Sequence, residues 1–153
     1  MANTYSQLNI HCVFSVKGRE NVLTDNFRDR LFQFMGGIIR QKKCHPLAVG
    51  GWKDHVHIFF ELSPDEKIAD VLREVKSASS KWINENKLVV GHFAWQEGYG
   101  AFSHSRSQRD QVIKYIQTQE EHHKGRTFRE EYLDMLHKAE VEFDERYVFE
   151  FYG

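Results

Sequence analysis

Little cysteine and no long apolar run mark this chain of 153 residues. Its two cysteines, Cys12 and Cys44, are too few for a disulfide framework and lack the paired spacing of a zinc knuckle. We expect both to be reduced, with Cys12 in the core. No stretch approaches the roughly 18 apolar residues that a membrane span needs, and the first residues lack the pattern of a signal peptide. These absences predict a soluble, cytoplasmic protein.

The chain also lacks the excess of basic residues that is typical of nucleic-acid binders. Lysine and arginine number 21 against 22 acidic residues, so the formal net charge is −1. The charges are nevertheless unevenly placed, and a basic face with an acidic tail is compatible with the sequence. The basic residues cluster early and the acidic ones late: Arg28, Arg30, Arg40, Lys42, Lys43, Arg73, Lys76 and Lys81 against Glu140, Glu142, Asp144, Glu145 and Glu150.

Hydrophobic periodicity predicts a single α+β domain over residues 1–153. Alternating apolar positions indicate strands at about 6–16, 45–52, 55–62 and 92–97, with a loop rich in Gly and Ser after the last of them. Spacing of three and four residues indicates helices at about 24–43, 64–86, 107–123 and 128–138. The order of the first six elements is that of a ferredoxin-like split βαβ sandwich with an antiparallel sheet. Both crossover helices should cover one face, leaving the other open to a ligand or a nucleic acid.

A His-x-His pair lies on the third predicted strand. Strand alternation places His55 and His57 on one face, while Val56, Ile58 and Phe60 point to the other. Because the apolar set should face the helices, both imidazoles should lie on the open side, close enough to bind one metal ion. Two hydrogen-bonded or surface histidines would show the same pattern.

A phenol and an amide share one face of the third predicted helix. Tyr115 and Gln119 are four residues apart, and the apolar residues Val112, Ile113 and Ile116 lie beside them. A tyrosine hydroxyl is a poor nucleophile at its ordinary pKa of about 10, but a metal on the target phosphate makes the phosphorus more electrophilic and can orient the attack. The amide oxygen of Gln119 would be a further metal ligand. A half-buried tyrosine beside a solvated glutamine fits the same spacing.

Four stretches resemble the HUH single-tyrosine transposases of small insertion sequences, along nearly the whole chain. They are Val16-Lys17-Gly18-Arg19, Gly51-Trp52-Lys53-Asp54-His55-Val56-His57, Trp95-Gln96-Glu97-Gly98-Tyr99-Gly100-Ala101-Phe102-Ser103, and Val112-Ile113-Lys114-Tyr115-Ile116-Gln117-Thr118-Gln119. The second and third are specific in combination, and the fourth contains the nucleophile.

The resemblance implies a DNA transposase that cleaves and rejoins single-stranded DNA. His55, His57 and Gln119 would hold Mg²⁺ or Mn²⁺, and Tyr115 would form a 5′-phosphotyrosine link while freeing a 3′-hydroxyl. Similar proteins bind DNA hairpins as homodimers, with the tyrosine helix of one subunit completing the site of the other. Lys76 matches a lysine of the family's second helix and Arg19 a family arginine, so both are candidate DNA contacts. A solvated lysine fits the position of Lys76 equally well, and Gly18 stands where the family has a tyrosine before the arginine.

Further residues are candidates on chemistry alone. His122 and His123 follow Gln119 by three and four residues and could reach the metal, although a solvated helix end is the simpler interpretation. His11 is a candidate to support the histidine pair from the neighbouring strand. Trp95, Tyr99 and Phe102 could stack on bases, but core packing is expected for at least two of them.

Three alternative functions stay open on the sequence. A domesticated relative would process palindromes without mobilising itself. A non-catalytic module would bind single-stranded nucleic acid on the same sheet. A phosphoesterase that uses water would keep the histidines but not need Tyr115.

Overall fold

The computed structural model describes residues 4–144 and Val148. Four strands form one antiparallel sheet in the order β2-β3-β1-β4, which is the ferredoxin-like order. The strands are β1 (Asn9–Ser15), β2 (His45–Gly51), β3 (His55–Glu61) and β4 (Gly100–His104). The helices are α1 (Arg28–Gln41), α2 (Ile68–Glu85), α3 (Arg109–Gln117), α4 (Gln119–His122) and α5 (Phe128–Lys138). The predicted α+β ferredoxin-like fold is thus confirmed.

The main core lies between the sheet and helices α1 and α2. Alternate residues of the two central strands enter it, as the sequence predicted for Val56, Ile58 and Phe60. From β1 the core receives Ile10, Cys12 and Phe14. Because strand side chains alternate, the same register turns the remaining residues of β1 and β3 to the opposite face.

That opposite face was predicted to be open, and this prediction is wrong. Helix α3 packs Val112 and Ile116 on Phe59, and helix α5 packs Phe128 on Val13. The helices cover this face because it carries apolar residues. Without the helices these residues would form an apolar patch exposed to water. The histidines on this face therefore lie inside the molecule.

The fourth strand is also misplaced in the sequence prediction. Residues 92–97 make only an isolated bridge, Val16 to Trp95, beside the end of β1, whereas β4 runs from Gly100 to His104 and pairs with β1. Phe93 and Trp95 are buried and so give an alternating pattern without a full ladder. Gly98, with φ of 81°, then turns the chain into the true strand.

The third predicted helix is divided. Thr118, with φ of −111° and ψ of 29°, separates α3 from α4. Its Oγ1 donates to the carbonyl of Lys114 at 2.8 Å, a side-chain bond that competes with helix continuation. The predicted fourth helix over 128–138 is confirmed within its bounds.

The predicted acidic tail lies only partly within the described residues. Glu140, Glu142 and Asp144 of the predicted acidic tail lie in the described part, whereas Glu145 and Glu150 lie outside the described residues. The carbonyl of Val148 accepts a hydrogen bond from Gln96 Nε2 at 3.2 Å. None of the helices in the described part has the length and apolar character needed to cross a bilayer.

Candidate active site

His55 and His57 lie on β3, on the sheet face that α3 and α5 cover. Neither side chain is exposed to solvent. Their Nδ1 atoms are both engaged: His55 Nδ1 lies 2.8 Å from Asp54 Oδ1, and His57 Nδ1 lies 2.8 Å from His11 Nε2. Partners of this kind fix the ring orientation of metal-binding histidines. Both Nε2 atoms consequently face the same enclosed space.

Gln119 completes the predicted set. Its Oε1 lies 2.8 Å from His55 Nε2, and its Nε2 donates to the backbone carbonyl of Tyr115 at 3.2 Å. The hydrogen bond from the Gln119 side-chain amide to the Tyr115 carbonyl turns the amide oxygen, rather than the amide nitrogen, towards His55. The structure therefore brings together two imidazole nitrogens and one amide oxygen, the set that the family resemblance implied.

Sequence reasoning missed a carboxylate at the centre of this cluster. Glu131 of α5 is fully buried, and its Oε1 lies 3.3 Å from His55 Nε2 and 3.2 Å from His57 Nε2. The ligand atoms of His55, His57 and Glu131 all lie within 4.8 Å of one another. One feature of the sequence could have indicated this role: Glu131 is an acidic residue within the apolar stripe of a helix, the stripe that also contains Phe128 and Met135.

Tyr115 reaches the same carboxylate. Its hydroxyl donates to Glu131 Oε2, the oxygen that does not face His55 and His57. The Tyr115 ring also lies edge-on to His57, with ring centroids 5.7 Å apart. Candidate nucleophile and candidate ligands are thus neighbours in one chain.

The electrostatics of the cluster follow from burial and from Glu131. Burial alone would raise the pKa of the Glu131 carboxyl, but the imidazoles of His57, His123 and His55 hold that pKa well below its usual range. Burial of the Tyr115 phenol, and then the nearby Glu131 charge, raise the pKa of Tyr115 well above its ordinary value. The carboxylate is therefore ionised while the phenol keeps its proton.

His55 sits between acceptors on both sides. Burial lowers its pKa, yet hydrogen bonds to Asp54 and Glu131 outweigh burial and raise the pKa of His55 to about 9. Burial lowers the pKa of His57, against the opposing effect of Glu131. A positive charge on the His55 imidazole is thus favoured by Asp54 on the Nδ1 side and by Glu131 on the Nε2 side.

The donor set fits a divalent metal ion. Two imidazole nitrogens, an amide oxygen and a carboxylate oxygen converge, and such mixed sets bind Mn²⁺ and the later divalent metals. The enclosed position and the hydrogen-bonded Nδ1 atoms are further features of metal-binding histidines. His55, His57, Gln119 and Glu131 are the residues that would hold the ion.

The other histidine candidates lie in different positions relative to the cluster. His123 was expected at a solvated helix end, but its side chain is only 4 % exposed, and its Nε2 lies 3.2 Å from both Gln119 Oε1 and Glu131 Oε1. Its Nδ1 lies 2.8 Å from the carbonyl of Arg126. His122 instead lies beside Tyr115 and Thr118. His11 occupies the predicted supporting position behind His57.

The proposed DNA contacts lie elsewhere. Lys76 is on α2, on the other side of the sheet, and its Nζ donates to the carbonyls of Gln96 and Gly98 at 2.8 and 2.9 Å. Arg19 lies in the short turn Lys17–Arg19 after β1, with φ of 54°. The structure thus brings neither residue to the cluster. Trp95 is a core residue and Phe102 packs near Val13, as expected for two of the three aromatics.

Comparisons with known proteins identify the family of this chain. Residues 4–119 match the family described as IS200-like transposases. The chain is 29 % identical over 119 residues to the ISDra2 transposase TnpA of Deinococcus radiodurans, an alignment that covers 74 % of this chain and 84 % of that protein.

Solved structures share the fold. One, a crystal structure of a protein described as a transposase from Deinococcus radiodurans R1, has a TM-score of 0.63 and 24 % identity, and the match covers 78 % of this chain and 95 % of that one. Another, a REP-associated tyrosine transposase bound to a REP hairpin, has a TM-score of 0.56 and 14 % identity over 76 % of this chain and 68 % of that one. Because the family match spans most of the sequence, the chain belongs to the IS200-like transposase family.

Proposed function

We propose that this transposase cleaves and rejoins single-stranded DNA through a covalent 5′-phosphotyrosine intermediate on Tyr115. The observation that carries the proposal is the position of the Tyr115 hydroxyl, which lies beside a buried cluster of His55, His57, Gln119 and Glu131. Nucleophile and phosphate-binding groups must be adjacent for a phosphoryl transfer.

A divalent metal, Mg²⁺ or Mn²⁺, would supply charge neutralisation and orientation of the scissile phosphate when bound to this cluster. The chain's own residues then set up the exchange. The Tyr115 oxygen forms a bond to phosphorus, the bond from phosphorus to the 3′ oxygen breaks, and the proton of the phenol is balanced by the proton gained by the released 3′-hydroxyl. One phosphodiester replaces another, so that no ATP is required.

The family and the fold support further parts of this proposal. We infer that the DNA partner contains hairpins, that two chains form a homodimer, and that the protein acts in the cytoplasm. Lys76 and Arg19 remain candidate contacts to the DNA backbone, by charge and by their match to the family. A basic residue at such a contact would orient the strand without reading its sequence.

The test is adduct formation. The purified protein is incubated with single-stranded DNA carrying palindromes from its own genomic flanks, with Mn²⁺ or Mg²⁺, and run on a denaturing gel. We expect a covalent adduct that disappears in Tyr115→Phe and with chelator, and that persists in the control Tyr132→Phe.

Two other outcomes would overturn the proposed chemistry, and a third would keep the chemistry but change its biological purpose. Metal-dependent cleavage that survives Tyr115→Phe would indicate a phosphoesterase that uses water. Tight, metal-independent binding without any adduct would indicate a non-catalytic binding module. An adduct on palindromes that are not associated with a mobile element would indicate a domesticated relative with the same chemistry.

A further inference from the structure

Glu131 lies outside the part of the chain that matches the family. That match ends at Gln119, whereas Glu131 belongs to the first turn of α5, twelve residues later. Its side chain is nevertheless as buried as those of His55 and His57. A role for this carboxylate must therefore be argued from the contacts of this chain.

The two oxygens of Glu131 face different partners. Oε1 is directed at the ligand cluster, 3.2 Å from His57 Nε2 and 3.3 Å from His55 Nε2. Oε2 accepts the hydrogen bond from the Tyr115 hydroxyl. One carboxylate thus bridges the groups that would hold a metal and the group that would attack phosphorus.

Two imidazole nitrogens and two side-chain oxygens of the cluster converge on one enclosed space. His55 Nε2 lies 2.8 Å from Gln119 Oε1, and Glu131 Oε1 approaches both histidines, while each Nδ1 already has a partner. Oxygens of an amide and a carboxylate can only accept, so a cation between them and the imidazole nitrogens would satisfy all four. Without Glu131 the remaining set of His55, His57 and Gln119 carries no negative charge.

We propose that Glu131 is an anionic ligand of the metal through Oε1 and the residue that holds the Tyr115 hydroxyl through Oε2. This inference rests on the proposed function and extends it, because it couples occupation of the metal site to the position of the nucleophile. A negative ligand increases the affinity for a divalent cation. The shared carboxylate keeps the phenol oxygen within reach of a phosphate bound beside the cluster.

The position of Glu131 is fixed by its surroundings on α5. Phe128, one turn earlier, stacks on the ring of His55 with centroids 4.2 Å apart and an interplanar angle of 14°. His123 Nε2 lies 3.2 Å from Glu131 Oε1 on another side. Preorganisation of this kind allows a side chain to serve two partners in one geometry.

Mn²⁺ binding without DNA tests the ligand role. Affinity is measured by titration calorimetry and by electron paramagnetic resonance of free Mn²⁺ on the wild type, Glu131→Gln, Glu131→Asp, His57→Ala and Glu130→Gln. Glu130 is the matched control, since it is adjacent, exposed and able to keep its capping bond as glutamine. We expect Glu131→Gln to bind Mn²⁺ at least about tenfold more weakly, because even changes in outer-shell partners cost that much.

Glu131→Asp keeps the charge and should recover part of the affinity, which distinguishes a ligand from a merely structural residue. Circular dichroism and thermal melting establish that each variant is folded. If Glu131→Gln is unfolded, the neutral variant Glu131→Ala is compared with Glu130→Gln instead: equal affinity for Mn²⁺ in those two would overturn the ligand role.

Single-turnover adduct formation at saturating Mn²⁺ tests the positioning role. We expect adduct formation by Glu131→Gln to stay slow although its metal site is filled, whereas Tyr115→Phe should bind Mn²⁺ as the wild type does. If Glu131→Gln formed the adduct at the wild-type rate at saturating Mn²⁺, the positioning role would be refuted.

The experiment separates the two proposals. Wild-type protein that binds no Mn²⁺ would refute the metal-dependent function and this inference together. Binding that is lost in His57→Ala but unchanged in Glu131→Gln would refute only the inference.

Discussion

Gly50 allows α3 to approach the sheet beside the active site. It pairs with His57 across β2 and β3, and a Cβ built on it would lie 2.6 Å from the carbonyl oxygen and 2.8 Å from Cγ2 of Ile116. Ile116 directly follows Tyr115 in α3. The absence of a side chain at Gly50 thus contributes to the position of the nucleophile.

We expect Gly50→Ala to lower the free energy of unfolding by about 1–3 kcal/mol, as in other overpacked sites, and to slow adduct formation. Urea denaturation measures the first effect. Gly37→Ala is the control, because no atom beyond the neighbouring helix backbone lies within 4 Å of the Cβ position of Gly37. In a helix alanine is more favourable than glycine by about 1 kcal/mol, so this variant should not be destabilised. Equal stability of Gly50→Ala and the wild type would show that α3 can shift freely.

At the same scale, the sequence predicts some site residues and not others. Strand alternation is local, so it predicts correctly that His55 and His57 share a face away from the apolar core. Helical spacing likewise predicts that Tyr115 and Gln119 lie together. The contact of Glu131 with both pairs depends on how α5 docks, and this long-range packing has no period along the chain.

Helix α5 depends on its first turn. Thr127 caps it by accepting a hydrogen bond from the backbone N–H of Glu130 at 3.2 Å, and Glu130 Oε1 in turn accepts from Thr127. The next residues, Phe128 and Glu131, contact His55. Loss of the cap would therefore loosen the active site as well as the helix.

We expect Thr127→Ala to destabilise the protein by about 1 kcal/mol, the usual contribution of an N-cap, and to weaken Mn²⁺ binding. Chemical denaturation and calorimetry provide the two measurements. Thr24→Ala is the control, since the Thr24 hydroxyl donates to the Asn26 side chain and caps no helix. A destabilised variant with unchanged Mn²⁺ affinity would contradict the link between the cap and the site.

The errors at the scale of elements have a common origin. Residues 92–97 alternate like a strand because Phe93 and Trp95 are buried, yet the ladder with β1 is formed by Gly100–His104. The open face was inferred from six elements, whereas α3 and α5, which follow them, cover it. A hydrophobic pattern in the sequence indicates which residues are buried. Which strand or helix buries them is decided by tertiary packing.

The whole molecule should be stabilised by the metal that its site fits. A ligand that binds the folded state alone raises the free energy of unfolding by about 2.7 kcal/mol at 100 times its dissociation constant. We expect Mn²⁺ to raise the melting temperature and EDTA to reverse the effect. The shift should be absent in His57→Ala, and a shift of equal size in that variant would place the bound metal elsewhere.

The source of the tyrosine is a question about assembled chains. Family resemblance implies a site completed by the partner subunit, but in this structure Tyr115 reaches Glu131 and His57 of its own chain. The connection is short, since β4 ends at His104 and α3 begins at Arg109 after a turn capped by Ser105 and Gln108. Gly50 and Ile116 pack together in the same chain.

These contacts predict an active site built in cis. The variants His57→Ala and Tyr115→Phe, each expected to be inactive alone, are co-expressed so that mixed dimers form. The purified mixture is then assayed for the DNA adduct. If the tyrosine served the partner, one site of a mixed dimer would combine intact histidines with an intact tyrosine, and activity would return. We expect no adduct from the mixture, because each chain would then have to supply both groups. Adduct formation by the mixture would show instead that α3 is exchanged between subunits, with the contact between Gly50 and Ile116 formed across the dimer.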